Sequence, residues 1–327
     1  MVFQQRVGIA ILVALVSLTL TLGDASQPVM AQDVAVVDDI TAAEGKSGSG
    51  GKSEAAKTES AVGAGQAEFD DAVIKRIDAD TPEELAAVTT LLESALAKGL
   101  NEENKSFAEK MLASVLVQRS QHLVALMQRV RGRRMLQIRD EALEFLRKAT
   151  KSDDSIVEAY LMIAQLNLLP EGNRDEMTEA TSKAIELLTD EPVQQSRAYV
   201  LRAVAQEDDD KKMADLNSAI EADSTNIEAL QARAGLRMQN DDVDGAMADL
   251  EKILAIDPGN QVVAQAAVQQ LLDAERVDDA VDLISKTLEA KPSEGMYRMR
   301  AILYRMQGKE DEAFADLNKA LAMQPKD

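Results

Sequence analysis

The chain has 327 residues, 46% hydrophobic but only 3% aromatic and without Trp, and its 36 basic and 57 acidic side chains leave a net charge of −21. An apolar set of Ala, Leu, Val, Ile and Met suits packed helices better than sheets, and the negative field opposes nucleic acid and anionic lipid. With no Cys and a single histidine, His122, disulfides, Cys nucleophiles and zinc ligand sets are excluded, and no metal or cofactor is expected.

Residues 1–31 read as an export signal. Arg6 supplies the positive start, Val7 to Leu22 is an apolar run, and Val29-Met30-Ala31 offers small residues for cleavage before Gln32. The run is short for a membrane span, although an uncleaved anchor is the alternative. An exported product, periplasmic or secreted, with no membrane span after cleavage is expected. Residues 32–66, centred on Gly45-Lys46-Ser47-Gly48-Ser49-Gly50-Gly51, lack spaced large apolar residues and read as a disordered tether.

Helix signals dominate from Asp80 onward. Thr81-Pro82-Glu83-Glu84 combines a capping hydroxyl, Pro at the first helical position and first-turn acids, and Gly99 closes the helix. A second helix runs from about Asn104 to Leu126. After an Arg-rich turn, a third carries Ala142, Leu146 and Ala149, and residues 67–155 are expected to form an irregular first repeat with a long connection.

Residues 156–327 are regular. Ala214-Asp215-Leu216 returns as Ala248-Asp249-Leu250, 34 residues on, and as Ala315-Asp316-Leu317, 67 residues after that. Pro258, Pro292 and Pro325 keep the same period and stop each second helix. Each first helix sets a large residue four positions before Ala, as in Tyr160 and Ala164, Tyr199 and Ala203, Leu230 and Ala234, and Tyr297 and Ala301. That spacing puts both on one face and lets the partner helix approach closely. These units resemble the tetratricopeptide repeat family, with Trp absent and Ser224 standing where one stopping Pro would be. The resemblance implies an all-α, right-handed α-solenoid of stacked antiparallel helix pairs, whose partners are other proteins or peptides.

Three units carry an Arg in the first helix and an Asp in the second: Arg202 with Asp215, Arg233 with Asp249, and Arg300 with Asp316. The units without the Arg also lack the Asp, having Ile163 with Ala180 and Ala267 with Leu283. A guanidinium reaching across the helix pair to form two parallel bonds fits this pattern; a solvated surface pair is the alternative.

Other motifs carry less. Asn240 to Gly245 with Glu251 approaches a calcium loop, but the repeat register needs Ala246 and Ala248 in a helix. Gly45 to Ser53 approaches a phosphate loop without the flanking strand and helix. Arg129, Arg131, Arg133, Arg134 and Arg139 concentrate positive charge, either to dock an acidic surface or as a solvated turn.

In this family the first helices line a concave face. The stripe rotated away from the packing residues holds Glu158, Leu161 and Gln165; Arg197 and Val200; Glu228 and Gln231; Gln265 and Gln269; and Arg298 and Arg305. It lacks the Lys and Asn set with which family members clamp a peptide carboxylate. Phe314, Leu317, Leu321 and Met323 are expected to leave an apolar edge on the last unit, open to self-association or partner docking. These features together point to a non-enzymatic interaction scaffold of the bacterial cell envelope. The alternative is an accessory subunit that recruits substrate to a separate envelope enzyme.

Overall fold

The computed structural model describes residues 63–323. Among these residues there are fourteen helices and no strand, and the chain divides into two compact units between Gly172 and Asn173. The export signal, the phosphate-loop-like stretch, most of the tether and Pro325 lie outside the described residues.

The first unit holds α1 (Gln66–Asp78), α2 (Pro82–Lys98), α3 (Glu102–Met127), α4 (Arg133–Ser152) and α5 (Val157–Leu166). At the start of α2 the Thr81 hydroxyl accepts the Glu84 amide at 3.3 Å, while the Glu84 carboxylate accepts the Thr81 amide at 3.0 Å and the Asp80 amide at 3.2 Å. These bonds satisfy donors that a helix start leaves free. Gly99, at a φ of 97°, ends the helix. Leu85, Val88, Leu92 and Ala95, spaced by three and four, form its buried face.

Helix α1 falls in the stretch 67–155 expected to hold the N-terminal helices, but no cap or apolar period marks it in the sequence. It buries Phe69 and Ala72, and the Phe69 ring meets Phe107 edge-on with centroids 5.9 Å apart. Residues 63–66, which the reading places in the tether, pack against α2. The Gly65 amide donates to the Gly99 carbonyl at 2.9 Å. A Cβ on Gly65 would stand 2.1 Å from the Ala95 carbonyl oxygen, so only glycine permits the approach. The connection between α3 and α4 is also shorter than expected, since only residues 128–132 separate them.

The second unit contains α6 (Arg174–Leu187), α7 (Pro192–Ala205), α8 (Asp209–Ala222), α9 (Ile227–Gln239), α10 (Val243–Ile256), α11 (Gln261–Asp273), α12 (Val277–Ala290), α13 (Glu294–Met306) and α14 (Glu310–Ala322). Consecutive helices pack against each other along the stack. Its core alternates small residues (Ala219, Ala229, Ala264) with large ones (Leu230, Ile253, Ile284, Met296). The small ones set the close helix spacing, and each large one contributes about 1.5–3 kcal/mol on burial. Asn226, Asn260 and Ser293 each cap a first helix by accepting the amide three residues on, at 3.0, 3.1 and 3.3 Å. Pro258 and Pro292 lie just beyond the ends of α10 and α12.

The calcium-like segment is a helix start. Asp242 accepts the Gly245 amide at 3.0 Å as the cap of α10, which puts Ala246 and Ala248 inside the helix. Among the described residues no helix is long and apolar enough to cross a membrane.

Candidate functional site

Three arginines organise the interior of the second unit. Arg233 Nε donates to Asp249 Oδ2 at 2.9 Å and its Nη2 to Oδ1 at 2.6 Å. Arg300 makes the same fork to Asp316 at 2.6 and 2.9 Å. Arg202 reaches Asp215 Oδ1 from Nε at 3.1 Å and from Nη2 at 2.6 Å. The three carboxylates are buried, Asp249 at 1% exposure, so these are interior pairs and not solvated surface contacts. The Asp316 hydrogen bonds also raise Arg300 above its ordinary pKa, against the opposing effect of burial. The Arg300 guanidinium carbon lies 5.9 Å from the centre of the Tyr297 ring and 5.5 Å from that of Tyr304.

Each arginine has a third partner that the sequence reading missed. The Nη1 of Arg202 donates to the Ser182 hydroxyl at 3.2 Å, that of Arg233 to the Asn217 side-chain oxygen at 2.8 Å, and that of Arg300 to the Ser285 hydroxyl at 2.9 Å. These acceptors sit on the helix that precedes the arginine's own, so one guanidinium ties two neighbouring helix pairs together. A signal was available, because Asn217 follows Asp215 by two, and Ser182 and Ser285 hold the corresponding positions after Ala180 and Leu283. In the unit of α11 and α12 the pair is replaced by buried Ala267 and Leu283. The network joins neighbouring helix pairs from within, its three carboxylates buried.

Within the second unit the stripe on the first helices is most open on α11 and α13. On α7, Arg197 is exposed but Val200 is a correction to the expected lining. It is only 4% exposed and belongs to the core, because α7 packs directly against α9. On α9, Glu228 and Gln231 are half-buried. On α11, Gln265 and Gln269 are exposed with Val262 beside them, and on α13 so are Arg298, Ile302, Arg305 and Met306. Gln269 donates to Asp273 at 2.7 Å and Arg298 pairs with Glu294 at 3.1 Å, both within their own helices. Gln231, Gln265 and Arg305 have no such bond among the described residues. Gly235 lies on this stripe in mid-helix, and a Cβ built there meets nothing within 4 Å.

The first unit carries the remaining candidates. On α5, Glu158 is exposed and accepts from Gln121 at 2.6 Å, while Leu161 and Gln165 are half-buried. Arg129, Arg131, Arg133 and Arg134 are exposed around the turn from α3 to α4. Arg139 does not join them, which corrects the five-arginine patch. It lies 5% exposed on the inner side of α4, donating to the Pro170 carbonyl and to Asp140.

Residues 237–303 match the family model described as tetratricopeptide repeat. Among solved structures, a tetratricopeptide repeat protein from Parabacteroides merdae ATCC 43184 is 17% identical, covering 80% of this chain and 94% of its own, with a TM-score of 0.40. YrrB, described as a TPR protein with an unusual peptide-binding site, is 18% identical over 60% of this chain and 92% of its own, with a TM-score of 0.41. PilW, described as a type IV pilus biogenesis factor, is 16% identical over 65% and 93%, with a TM-score of 0.38. Comparison with curated proteins finds no match.

Proposed function

We propose that this tetratricopeptide-repeat chain is a non-enzymatic, exported scaffold of the bacterial cell envelope that binds partner polypeptides on the first-helix stripe between α9 and α13. The carrying observation is the opening of that stripe, from buried Val200 to exposed Gln265, Arg298 and Arg305. Glutamine amides offer both a donor and an acceptor, as an extended peptide backbone requires. The exposed Val262, Ile302 and Met306 beside Arg298 and Arg305 suit a partner segment that mixes apolar and acidic residues. Gly235 supports the same reading. A mid-helix glycine costs about 1 kcal/mol relative to Ala, and the open space in front of it shows that no neighbouring helix requires the missing side chain. On this proposal the glycine leaves room for close approach of a ligand.

The test is a photo-crosslinking residue at Gln265, with a second at Lys252 on the exposed side of α10 as control. A partner captured at Gln265, absent at Lys252 and lost in Gly235→Leu, supports the reading; equal capture at both sites overturns it. Recovery of an enzyme in fixed ratio would favour the recruiting role over a purely structural one. The scaffold also self-associates, on this reading, through Phe314, Leu317 and Leu321.

A further inference from the structure

The tip of the α3–α4 hairpin holds positive charge that its surroundings leave unpaired. From Lys110 to Arg139 the sequence contains no acid, although the chain has 57. Arg129, Arg131, Arg133 and Arg134 are exposed at the tip, and among the described residues none of the four makes a hydrogen bond or ion pair through its side chain. Helix α4 begins on Gly132 without a capping side chain and without an acid in its first turn, where negative charge is favoured. Leu126 adds an apolar element, 42% exposed on the last turn of α3.

The acids nearest the hairpin are turned to other groups or lie behind the tip. Asp140 is held by Arg139 at 2.8 Å. Burial lowers the pKa of Arg119 against the opposing fields of Glu93 and Glu141, so Glu141 faces Arg119, ten residues before Arg129. Glu158 and Asp80 meet α3 at Gln121 and Gln118, about two and three turns behind Arg129. Glu171, beside the Pro170 whose carbonyl Arg139 holds, is a single charge against four.

The chain itself contains a complement. Asp33-Val34-Ala35-Val36-Val37-Asp38-Asp39-Ile40, followed by Glu44, sets four acids among four large apolar residues with no base before Lys46. This stretch precedes the described residues, which begin at Gly63 beside the start of α3, where the Gln66 side chain accepts from Asn104 at 2.8 Å. The 26 residues of α3 carry the tip about 40 Å from there. Fully extended, the 18 residues 45–62 span about 60 Å, which is more than enough.

We infer that the occupant of this tip is the segment 33–44 of the same chain, its carboxylates on Arg129, Arg131, Arg133 and Arg134 and its valines over Leu126. Opposite charge gives the pairing its specificity. The covalent connection keeps the segment at a high effective concentration, so ion pairs that are individually weak suffice. An outside acidic partner then has to displace this segment to reach the tip.

Because the chain has no Cys, two introduced thiols report the contact without interference. Val36→Cys is combined in the full-length chain with Gln128→Cys at the tip, or with Lys151→Cys on the last turn of α4 as control. Each is treated with a short bis-maleimide in low salt at low protein concentration. Ser120 on α3 meets Ala142 on α4, so α4 runs back towards the start of α3, and Lys151 lies nearer the root of the segment than the tip does. Chance encounter therefore favours Lys151→Cys, whereas docking favours Gln128→Cys. Intrachain crosslinking at Gln128→Cys should exceed the control on the order of tenfold, fall to the control level when Arg131→Glu and Arg134→Glu are added, and recover in part with Asp38→Arg and Asp39→Arg. The described sites are all exposed, and circular dichroism checks that each variant keeps its helix content. Crosslinking no faster at the tip than at the control, crosslinking only between chains, or a charge swap that restores nothing would each overturn the inference. If the two rates are equal and the full-length chain binds phosphatidylglycerol vesicles through the same arginines, the inference is overturned and the tip belongs to an anionic membrane surface.

Discussion

Replacing Arg233 with Ala isolates the energetics of the buried network. Asp249 is 1% exposed and holds the Arg233 fork together with one bond from Arg237 Nη1 at 2.7 Å. Breaking a buried pair from one side costs about 3–5 kcal/mol, because the other charge is left in a poorly solvated place. The surviving Arg237 bond puts Arg233→Ala near the lower end, about 3 kcal/mol. The neighbouring unit supplies the control, since it fills the same two positions with Ala267 and Leu283. The double variant Arg233→Ala with Asp249→Leu copies that solution, removes both charges at once, and is expected within about 1 kcal/mol of wild type. Arg237 keeps its bond to the Gly245 carbonyl at 2.9 Å in that variant. Urea unfolding followed by circular dichroism gives the overall cost, and hydrogen exchange on α9 and α10 localises it, since stacked units need not unfold in a single transition. A single variant within about 0.5 kcal/mol of wild type would refute the reasoning, as would a double variant no more stable than the single one.

Three further outcomes follow from the geometry. Ser196 is buried, donates to the Ala219 carbonyl at 2.7 Å and accepts from Asn226 at 2.8 Å, so Ser196→Ala should lose about 1–3 kcal/mol in the same urea titration. Gly235→Ala has open space for its methyl group and should raise stability by about 0.5–1 kcal/mol, seen as a higher urea midpoint at an unchanged slope. The Thr81 amide, then the Asp80 amide, hold the Glu84 carboxyl below its ordinary pKa. The cap of α2 is therefore at full strength above the unfolded carboxylate value of about 4.3 and fades as pH falls through the lower folded value. Amide exchange at the start of α2 should show this acid dependence in wild type and lose it in Glu84→Gln.

Much of this architecture was legible because its signals are local or periodic. The capping residues at Thr81 and the 34-residue return of Ala-Asp-Leu depend on backbone chemistry and helix spacing, both written into short stretches. The Arg and Asp positions were legible for the same reason, as they vary together from unit to unit. Helix α1 was not, since its buried face is short, only Phe69 and Ala72, and follows directly on a glycine-rich stretch. Val200 fits the open stripe by angle alone, and only the close approach of α7 to α9 buries it. Leu216 and Leu317 stand in identical tetrapeptides yet differ more than tenfold in exposure, at 3% and 44%, because one has a neighbouring helix against it and the other does not. Such differences arise from which helices meet, a property of the stack and not of any single repeat.

The third bond of each arginine also sets the mechanics of the array. Guanidinium links join α7 to α6, α9 to α8 and α13 to α12, but α11 bears Ala267, and the position on α10 that would receive the link is the exposed Glu251. That junction is closed by apolar packing and by the solvent-facing pair of Arg276 with Asp244 at 2.7 Å. Apolar surfaces resist separation but tolerate sliding far better than a directional fork does. Within the second unit the directional tie is therefore absent at the step from α10 to α11. A stack tied at α6–α7, α8–α9 and α12–α13 thus has, within the second unit, one joint held by shape and not by direction.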